Sequence, residues 1–345
     1  MMLFIGLSVA IWFIGRAMKV PRNARWIMIG LLYLAILAAT ILLRDRVDVT
    51  QMLGGSTAEW FAIGVIGAII WAYTQGLKKL RARVRPENRA PDEDTRPSST
   101  ELERNARHIV LREIGGPGQK RLKDAKVLVI GAGGLGSPAL QYLASAGVGT
   151  IGVIDDDLVE NSNLQRQVIH TDARIGMPKV FSAELAMKAQ NPFVTVRPYN
   201  RRLTADIAED LFADYDLILD GCDDTETRYV ANAAAYAVRK PLISGALSQW
   251  EGQVTVFAPW EGTPCYRCVF PNPNATGLAP SCAEGGVLSA LPGVVGTIMA
   301  VEAIKEITGA GDTLRGRMMI YDALYGETRI IALKKDPACP ICGSG

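Results

Sequence analysis

A β-rich run, Lys126–Ile130, leads into Gly131-Ala-Gly133-Gly134-Leu-Gly136, and Ser137-Pro138-Ala-Leu then opens a helical stretch. Glycines at a strand-to-helix turn let phosphate groups approach backbone N–H donors at the positive end of the helix dipole. The next β-rich run, Thr150–Ile154, ends at Asp155, 19 residues past Gly136. A carboxylate there can hold a ribose hydroxyl. A tight turn alone would account for the glycines. Strand, helix and acid in register make nucleotide binding the better reading, with the nucleotide open at this point because the same arrangement suits NAD or FAD.

Around this loop β-rich and helical runs alternate: helices are expected at 137–147, 178–190 and 227–238, and strands at 150–154, 217–219 and 241–243. Alternation of this kind predicts an α/β domain, a Rossmann-like doubly wound and mostly parallel sheet with helices on both faces. Roughly 245 residues from position 101 onward are enough for one such domain.

The residues that follow argue against a redox dinucleotide. Asn161-Ser-Asn163-Leu-Gln165-Arg166-Gln167 and Pro178-Lys179 supply amides, a guanidinium and an ammonium, and Asp220-Gly-Cys-Asp223-Asp224 places carboxylates at another strand end. Strand ends of a doubly wound sheet converge on one crevice. Two cations with a strand-end carboxylate suit a triphosphate and Mg²⁺, the cations neutralising phosphate charge and the acid holding the metal. Any one of them could be an ordinary surface charge.

All six cysteines lie beyond residue 221, and Cys265-Tyr-Arg-Cys268 and Cys339-Pro-Ile-Cys342 form two C-x₂-C pairs with 70 residues between them. Four thiolates in two such hooks predict a tetrahedral structural zinc site that clamps the C-terminal part onto the domain body. Disulfides or a redox pair are the competing readings; the second would want a C-x₂-C opening a helix after a leading strand, which neither pair is expected to do. Cys282 follows a Pro/Asn/Gly-rich stretch, 271–280, expected to be a loop, and is either an accessible nucleophile or an inert thiol. Cys222 reads as structural. His108 and His170 are too few and too separated for a metal cluster.

The formal net charge of +2 hides a division: residues 1–89 carry 12 Lys+Arg and 4 Asp+Glu, against 25 and 31 in 90–345. That is +8 followed by −6, which excludes a basic nucleic-acid binder as the whole molecule. Met1–Gly15, Trp26–Leu43 and Trp60–Leu77 contain no charged residue. A helix of 18 residues spans about 27 Å, close to a hydrocarbon core. These three stretches are expected to be transmembrane helices within a membrane region, 1–85, and 86–100 to be a linker. Charge in loop 16–25 follows the first apolar run rather than preceding it, which argues against a signal peptide. Basic loops at 16–25 and 78–89 place the amino terminus outside and the domain in the cytoplasm, as a multi-pass protein of the inner membrane.

The run Gly131–Gly136, with Tyr142-Leu-Ala-Ser-Ala-Gly-Val-Gly149, Ser162–Gln167, Gly176-Met-Pro-Lys179, Glu251-Gly-Gln-Val254, Pro264–Cys268 and the final Cys-Pro-Ile-Cys342, resembles the ThiF/MoeB (HesA) family of ubiquitin-activating-enzyme relatives over about residues 101–343. The resemblance implies ATP-dependent adenylation of the C-terminal Gly-Gly carboxylate of a sulfur-carrier protein, with release of pyrophosphate. The molybdopterin-synthase small subunit is the first expectation, for molybdenum cofactor biosynthesis, and the thiamine-branch carrier the alternative. A membrane-bound NAD- or FAD-dependent oxidoreductase is the rival from another class. The resemblance further implies a homodimer with one Zn²⁺ per subunit. A separate sulfur donor is expected, with no rhodanese-like domain fused.

By motif position, Gly131, Gly133, Gly134 and Gly136 would hold phosphates, Asp155 the ribose with Asp157 beside it, and Asn163, Arg166 and Lys179 the phosphate charge. Asp223 would bind Mg²⁺ with Asp224 next to it, and Arg107 would reach the other subunit's ATP. Cys282 matches a loop cysteine used by some relatives in sulfur chemistry. Two departures stand out: Asn105 replaces an aromatic near Arg107, and Asp224 stands where Asn is common.

Overall fold

The computed structural model describes residues 2–18, 22–42, 58–65, 69, 73, 98–271 and 285–343. The chain divides into two compact units, Met1–Arg96 and Pro97–Gly345.

In the first unit α1 (Met2–Ala17) and α2 (Arg22–Leu42) are joined by aromatic packing. Phe4 meets Tyr33 and Trp60 edge-on, with ring centroids 6.2 and 5.5 Å away. The Tyr33 hydroxyl donates to the Trp60 carbonyl at 2.6 Å. Leu31, Leu34, Ile41 and Leu42 remain exposed on α2. Of the three spans expected, one helix among the described residues is long and apolar enough to cross a membrane, Ala24–Leu42. The first stretch lies in the 16-residue α1, within which Gly6–Gly15 is the apolar helix described; at about 1.5 Å per residue α1 falls short of the usual hydrocarbon thickness. Most of the third, 60–77, lies outside the described residues.

The second unit begins earlier than the linker reading allowed. Ser98 caps a helix over Ser99–Arg104, its Oγ accepting from the Glu101 amide at 3.2 Å. This is a Ser-x-x-Glu start with an acid in the first turn.

One eight-stranded sheet, in the order β3-β2-β1-β4-β5-β6-β7-β8, organises this unit. The strands are β1 (Lys126–Ile130), β2 (Thr150–Ile154), β3 (Thr195–Tyr199), β4 (Leu217–Asp220), β5 (Leu242–Leu247), β6 (Glu251–Phe257), β7 (Arg317–Asp322) and β8 (Glu327–Ala332). The first five are parallel, and β6, β7 and β8 extend the sheet antiparallel. The antiparallel extension makes the sheet mixed rather than simply doubly wound.

The helices that position the site are α3 (Gly115–Asp124), α4 (Gly136–Ser145), α5 (Lys179–Gln190), α6 (Ala205–Ala213), α7 (Thr225–Ala237) and α8 (Leu291–Thr308). Alternate β1 residues enter two cores. Val127 and Val129 join Leu140, Leu143, Met187, Val295 and Met299 on one face, while Leu128 and Ile130 join Phe212, Tyr215 and Ala231 on the other. A strand buried on both faces needs continuous apolar residues, and Val-Leu-Val-Ile supplies them. Chain order reverses between β1 and β4, where Ile130 pairs with Asp220. Loops leaving those two strands diverge and open the crevice.

Candidate active site

The glycine loop leaves β1 at Gly131, whose φ of +89° is a left-handed conformation that side chains disfavour. A Cβ at Gly136 would collide with the Gly131 carbonyl oxygen, so the turn closes only with glycine at both ends. Between them Gly133 is open, with only Gln167 Nε2 near a Cβ position, at 3.7 Å. Gly134 lies against Pro292 of α8 and the Arg166 side chain. The backbone at Gly133 is therefore open to approach, with a guanidinium-bearing residue beside the neighbouring Gly134.

Asp155 closes the other side. Its Oδ2 accepts from the Ala132 amide at 2.7 Å and its Oδ1 from the Asp157 amide at 2.8 Å. Burial raises its carboxyl above the ordinary value, opposed by the Lys179 ammonium and by the two amides. Each oxygen keeps a lone pair for a ligand hydroxyl. Lys179, buried at the start of α5, donates to Asp157 Oδ2 at 2.7 Å. Asp156 joins Asp155 and Asp157 in an acidic cluster that the sequence reading did not single out.

Asn163 ends a 3₁₀ turn over Asn161–Asn163, and Arg166 donates to the Ser162 carbonyl at 3.1 Å. At the end of β4, Asp220 is committed to the interior. It pairs with buried Arg228 at 3.1 Å and accepts from Ser244 Oγ at 3.0 Å and Cys222 Sγ at 2.8 Å. Burial and the neighbouring Asp220 carboxylate push the Cys222 thiol well up, which makes it a structural group. Arg228 also donates to the carbonyls of Cys222 and Gly245, fixing the turn that presents Asp223 to solvent.

Asp224 is the N-cap of α7. Its Oδ2 accepts from the Thr227 amide at 2.9 Å, the Thr227 hydroxyl at 2.6 Å and Arg202 at 2.8 Å. Asp and Asn are about equally good caps, so the departure from Asn leaves the turn intact. Asn105, the other departure, is buried at the C-cap of Ser99–Arg104. Arg107 is exposed on the short helix Ala106–Ile109. Among the described residues no hydrogen bond or ion pair joins it to the crevice. Cys282 lies outside the described residues.

Three neighbours of the crevice were given no site role by the sequence: Gln167 counted only as one amide of the Asn161–Gln167 run, His170 only as no metal ligand, and Arg228 not at all. Gln167 is buried with no hydrogen-bond partner for Oε1 and its amide faces Gly133. An orphaned acceptor beside an open glycine suits a polar ligand with a donor. His170 and Arg228 are buried polar residues whose partners are distant in sequence, and no local spacing marks such residues.

Away from the crevice the four expected cysteines meet. Sγ separations are 3.8 Å for Cys265–Cys268, 3.6 Å for Cys265–Cys339 and 3.4 Å for Cys268–Cys342. A tetrahedral ion with Zn–S bonds of about 2.3 Å has thiolate edges of about 3.8 Å, whereas a disulfide would need about 2.05 Å. The donor set fits zinc. Contrary to expectation, Cys265 does cap a short helix, Tyr266–Val269, although β6 ends at Phe257 and does not feed it directly.

Residues 105–341 match the ThiF family. The chain belongs to the ThiF family. It is 48% identical over 247 residues to the sulfur carrier protein adenylyltransferase of Thermus thermophilus, covering 70% of this chain and 91% of that protein. It is 51% identical over 248 residues to the probable adenylyltransferase/sulfurtransferase MoeZ of Mycobacterium tuberculosis, where the match covers 70% of this chain and 63% of the relative. Among solved structures, E. coli MccB with MccA-N7isoASN superposes with a TM-score of 0.62 at 21% identity, over 70% of this chain and 74% of that one. This last likeness speaks for the fold alone. The ThiF-family protein is an enzyme of the adenylyltransferase class, and the oxidoreductase alternative falls away.

Proposed function

We propose that this ThiF-family enzyme adenylates the C-terminal Gly-Gly carboxylate of a small ubiquitin-like sulfur-carrier protein. A carrier carboxylate oxygen attacks the α-phosphorus of ATP, the bond from that phosphorus to the bridging oxygen breaks, and pyrophosphate leaves as the acyl-adenylate forms. The observation that carries the reading is the glycine loop at the end of β1 with Arg166 beside Gly134 and with Asp155 bonded both to the loop and to Asp157, which holds Lys179. The carboxylate is already ionised, so the site needs positioning and charge stabilisation rather than a general base.

In this reading the amides of Gly133, Gly134 and Gly136 face the phosphates and Asp155 takes the ribose, while Asn163, Arg166 and Lys179 offset phosphate charge; Gly131, expected among the phosphate donors, instead gives its N–H to the Ile154 carbonyl at 2.9 Å and shapes the turn. Asp157 holds Lys179 in place, and Asp223 would hold Mg²⁺, which neutralises triphosphate charge when bound; Asp224 acts by capping α7. Arg107 serves the nucleotide of a second subunit, in keeping with its exposure. Cys282 is the candidate thiol for sulfur chemistry, with sulfur from a separate donor. The tetrathiolate holds Zn²⁺. The molybdopterin-synthase small subunit is the first carrier to try and the thiamine-branch carrier the second. The apolar helix Ala24–Leu42 anchors the enzyme to the inner membrane, with the catalytic domain in the cytoplasm.

Carrier-dependent ATP–pyrophosphate exchange tests the reading. Exchange is expected with a Gly-Gly-ended carrier, falling by at least about 100-fold in D223A and in K179A, as for loss of an electrostatic group in a transition state. No exchange with any ubiquitin-like carrier, or full exchange in both variants, overturns it. Membrane fractionation with and without residues 1–97 tests the anchor.

A further inference from the structure

His170 is a buried titratable side chain that the proposed chemistry leaves without a role. It is 5% exposed and lies on the loop before α5. Its Nε2 is 2.9 Å from the carbonyl oxygen of Ala132, within the glycine loop, and its Nδ1 is 2.9 Å from Ser182 Oγ on α5. A carbonyl can only accept, so Nε2 carries the proton. In the neutral ring Nδ1 then accepts from the Ser182 hydroxyl. The two peptide groups that flank the Ala132 α-carbon are thus each held, the first through the Ala132 N–H by Asp155 at 2.7 Å and the second through the Ala132 C=O by His170. Besides His170, that carbonyl has only the Ser137 hydroxyl at 3.4 Å among the side-chain donors described.

These contacts close a ring. Asp155 holds Ala132, Ala132 meets His170, and His170 meets Ser182. Ser182 lies one helical turn beyond Lys179, which binds Asp157 at 2.7 Å, and the Asp157 amide returns to Asp155 at 2.8 Å. Ala132 and Ser182 are both fully buried, so water offers little competition for the two His170 links; the Lys179–Asp157 link ends on an exposed carboxylate. Resting on the nucleotide reading above, we propose that His170 is a positioning residue for the nucleotide. It sets the separation between the amides of Gly133, Gly134 and Gly136 and the Lys179 ammonium, and contacts neither ligand nor reacting atoms itself. Without His170 the start of the loop is held by two N–H bonds on the β2 side, Gly131 to the Ile154 carbonyl at 2.9 Å and Ala132 to Asp155 at 2.7 Å, and by the long Ser137 contact at 3.4 Å, none of which ties it to α5. The His170 anchor, which leads through Ser182 to the helix carrying Lys179, supplies that tie and prepays part of the ordering that nucleotide binding would otherwise require.

The two ring nitrogens can be separated chemically. A glutamine amide nitrogen reaches the Nε2 position and keeps the donor to Ala132, whereas an asparagine nitrogen falls at the Nδ1 position and does not. In the carrier-dependent exchange assay, H170N is expected to raise KM for ATP about three- to tenfold, the value of about one hydrogen bond, with kcat changed by less than about threefold. H170Q is expected to restore the wild-type KM. In parallel, hydrogen exchange of the 131–136 amides should quicken in H170N and H170A and return to the wild-type rate in H170Q.

Equal KM and equal amide exchange in wild type and H170N overturn the proposal. So does equal impairment of H170N and H170Q, which would mark His170 as packing alone. Amide exchange is read without any carrier. A wild-type enzyme that exchanges no pyrophosphate therefore overturns the adenylation reading, while the order of exchange rates still decides for or against the brace.

Discussion

At residue scale the crevice joins two kinds of group, those whose role follows from local spacing and those whose role follows from burial. Asp155 was legible because a carboxylate after the second strand has one natural task. His170 was not, because its partners, Ala132 and Ser182, are 38 and 12 residues away and no motif encodes a contact across a loop. Burial lowers the imidazole pKa below its ordinary value of 6.5; the Ala132 carbonyl opposes this and Lys179 and Arg174 reinforce it. Between the folded value and 6.5 the unfolded chain binds a proton that the native state refuses, so stability rises with pH there. The contribution is complete above about 6.5 and is lost as pH falls through the folded value. Urea midpoints measured from pH 7.5 to 5 should therefore fall more steeply in wild type than in H170Q. Parallel profiles would contradict this.

At element scale β1, β2 and β4 were readable because they are short apolar runs buried on both faces with a helix after each, and β5 through its opening Leu242-Ile243; β3, the parallel edge strand Thr195–Tyr199, was not, since its burial is partial and Pro198 interrupts it. Nor was the antiparallel half. β8 is exposed along all six residues, and its strand state comes from pairing with β7 rather than from an alternating pattern. Most of the third expected membrane helix falls outside the described residues, and the first is a shorter helix. Charge-free stretches mark apolar helices, but crossing a membrane takes length as well. The start of α7 offers an element-level test. Asp224→Ala removes the oxygen that holds the Thr227 amide and hydroxyl and should cost about 1 kcal/mol, read as a fall in Tm of about 2–4 °C. Asp224→Asn keeps the cap and should stay within about 1 °C; an equal fall in both variants would mean that the Arg202 ion pair, not the cap, sets the stability.

At the scale of the whole molecule, two cysteine hooks 70 residues apart were recognisable as one site because thiolate spacing is a local signature, although the chain between them was not predicted. Removal of the ion with a chelator, or Cys342→Ser, should lower Tm by roughly 5–10 °C, as expected for loss of a few kcal/mol in a domain of this size. Zinc analysis should return one ion per chain; an unchanged Tm with no bound zinc would exclude the clamp. The position of the hooks also sets a load path. Cys339 and Cys342 follow β8, the edge strand bonded only to β7, whereas Cys265 and Cys268 follow β6. With the metal bound, tension applied near residue 343 passes through metal–sulfur bonds into the chain beyond β6. The edge strand, which would otherwise unzip one hydrogen bond at a time, stays slack until a thiolate lets go.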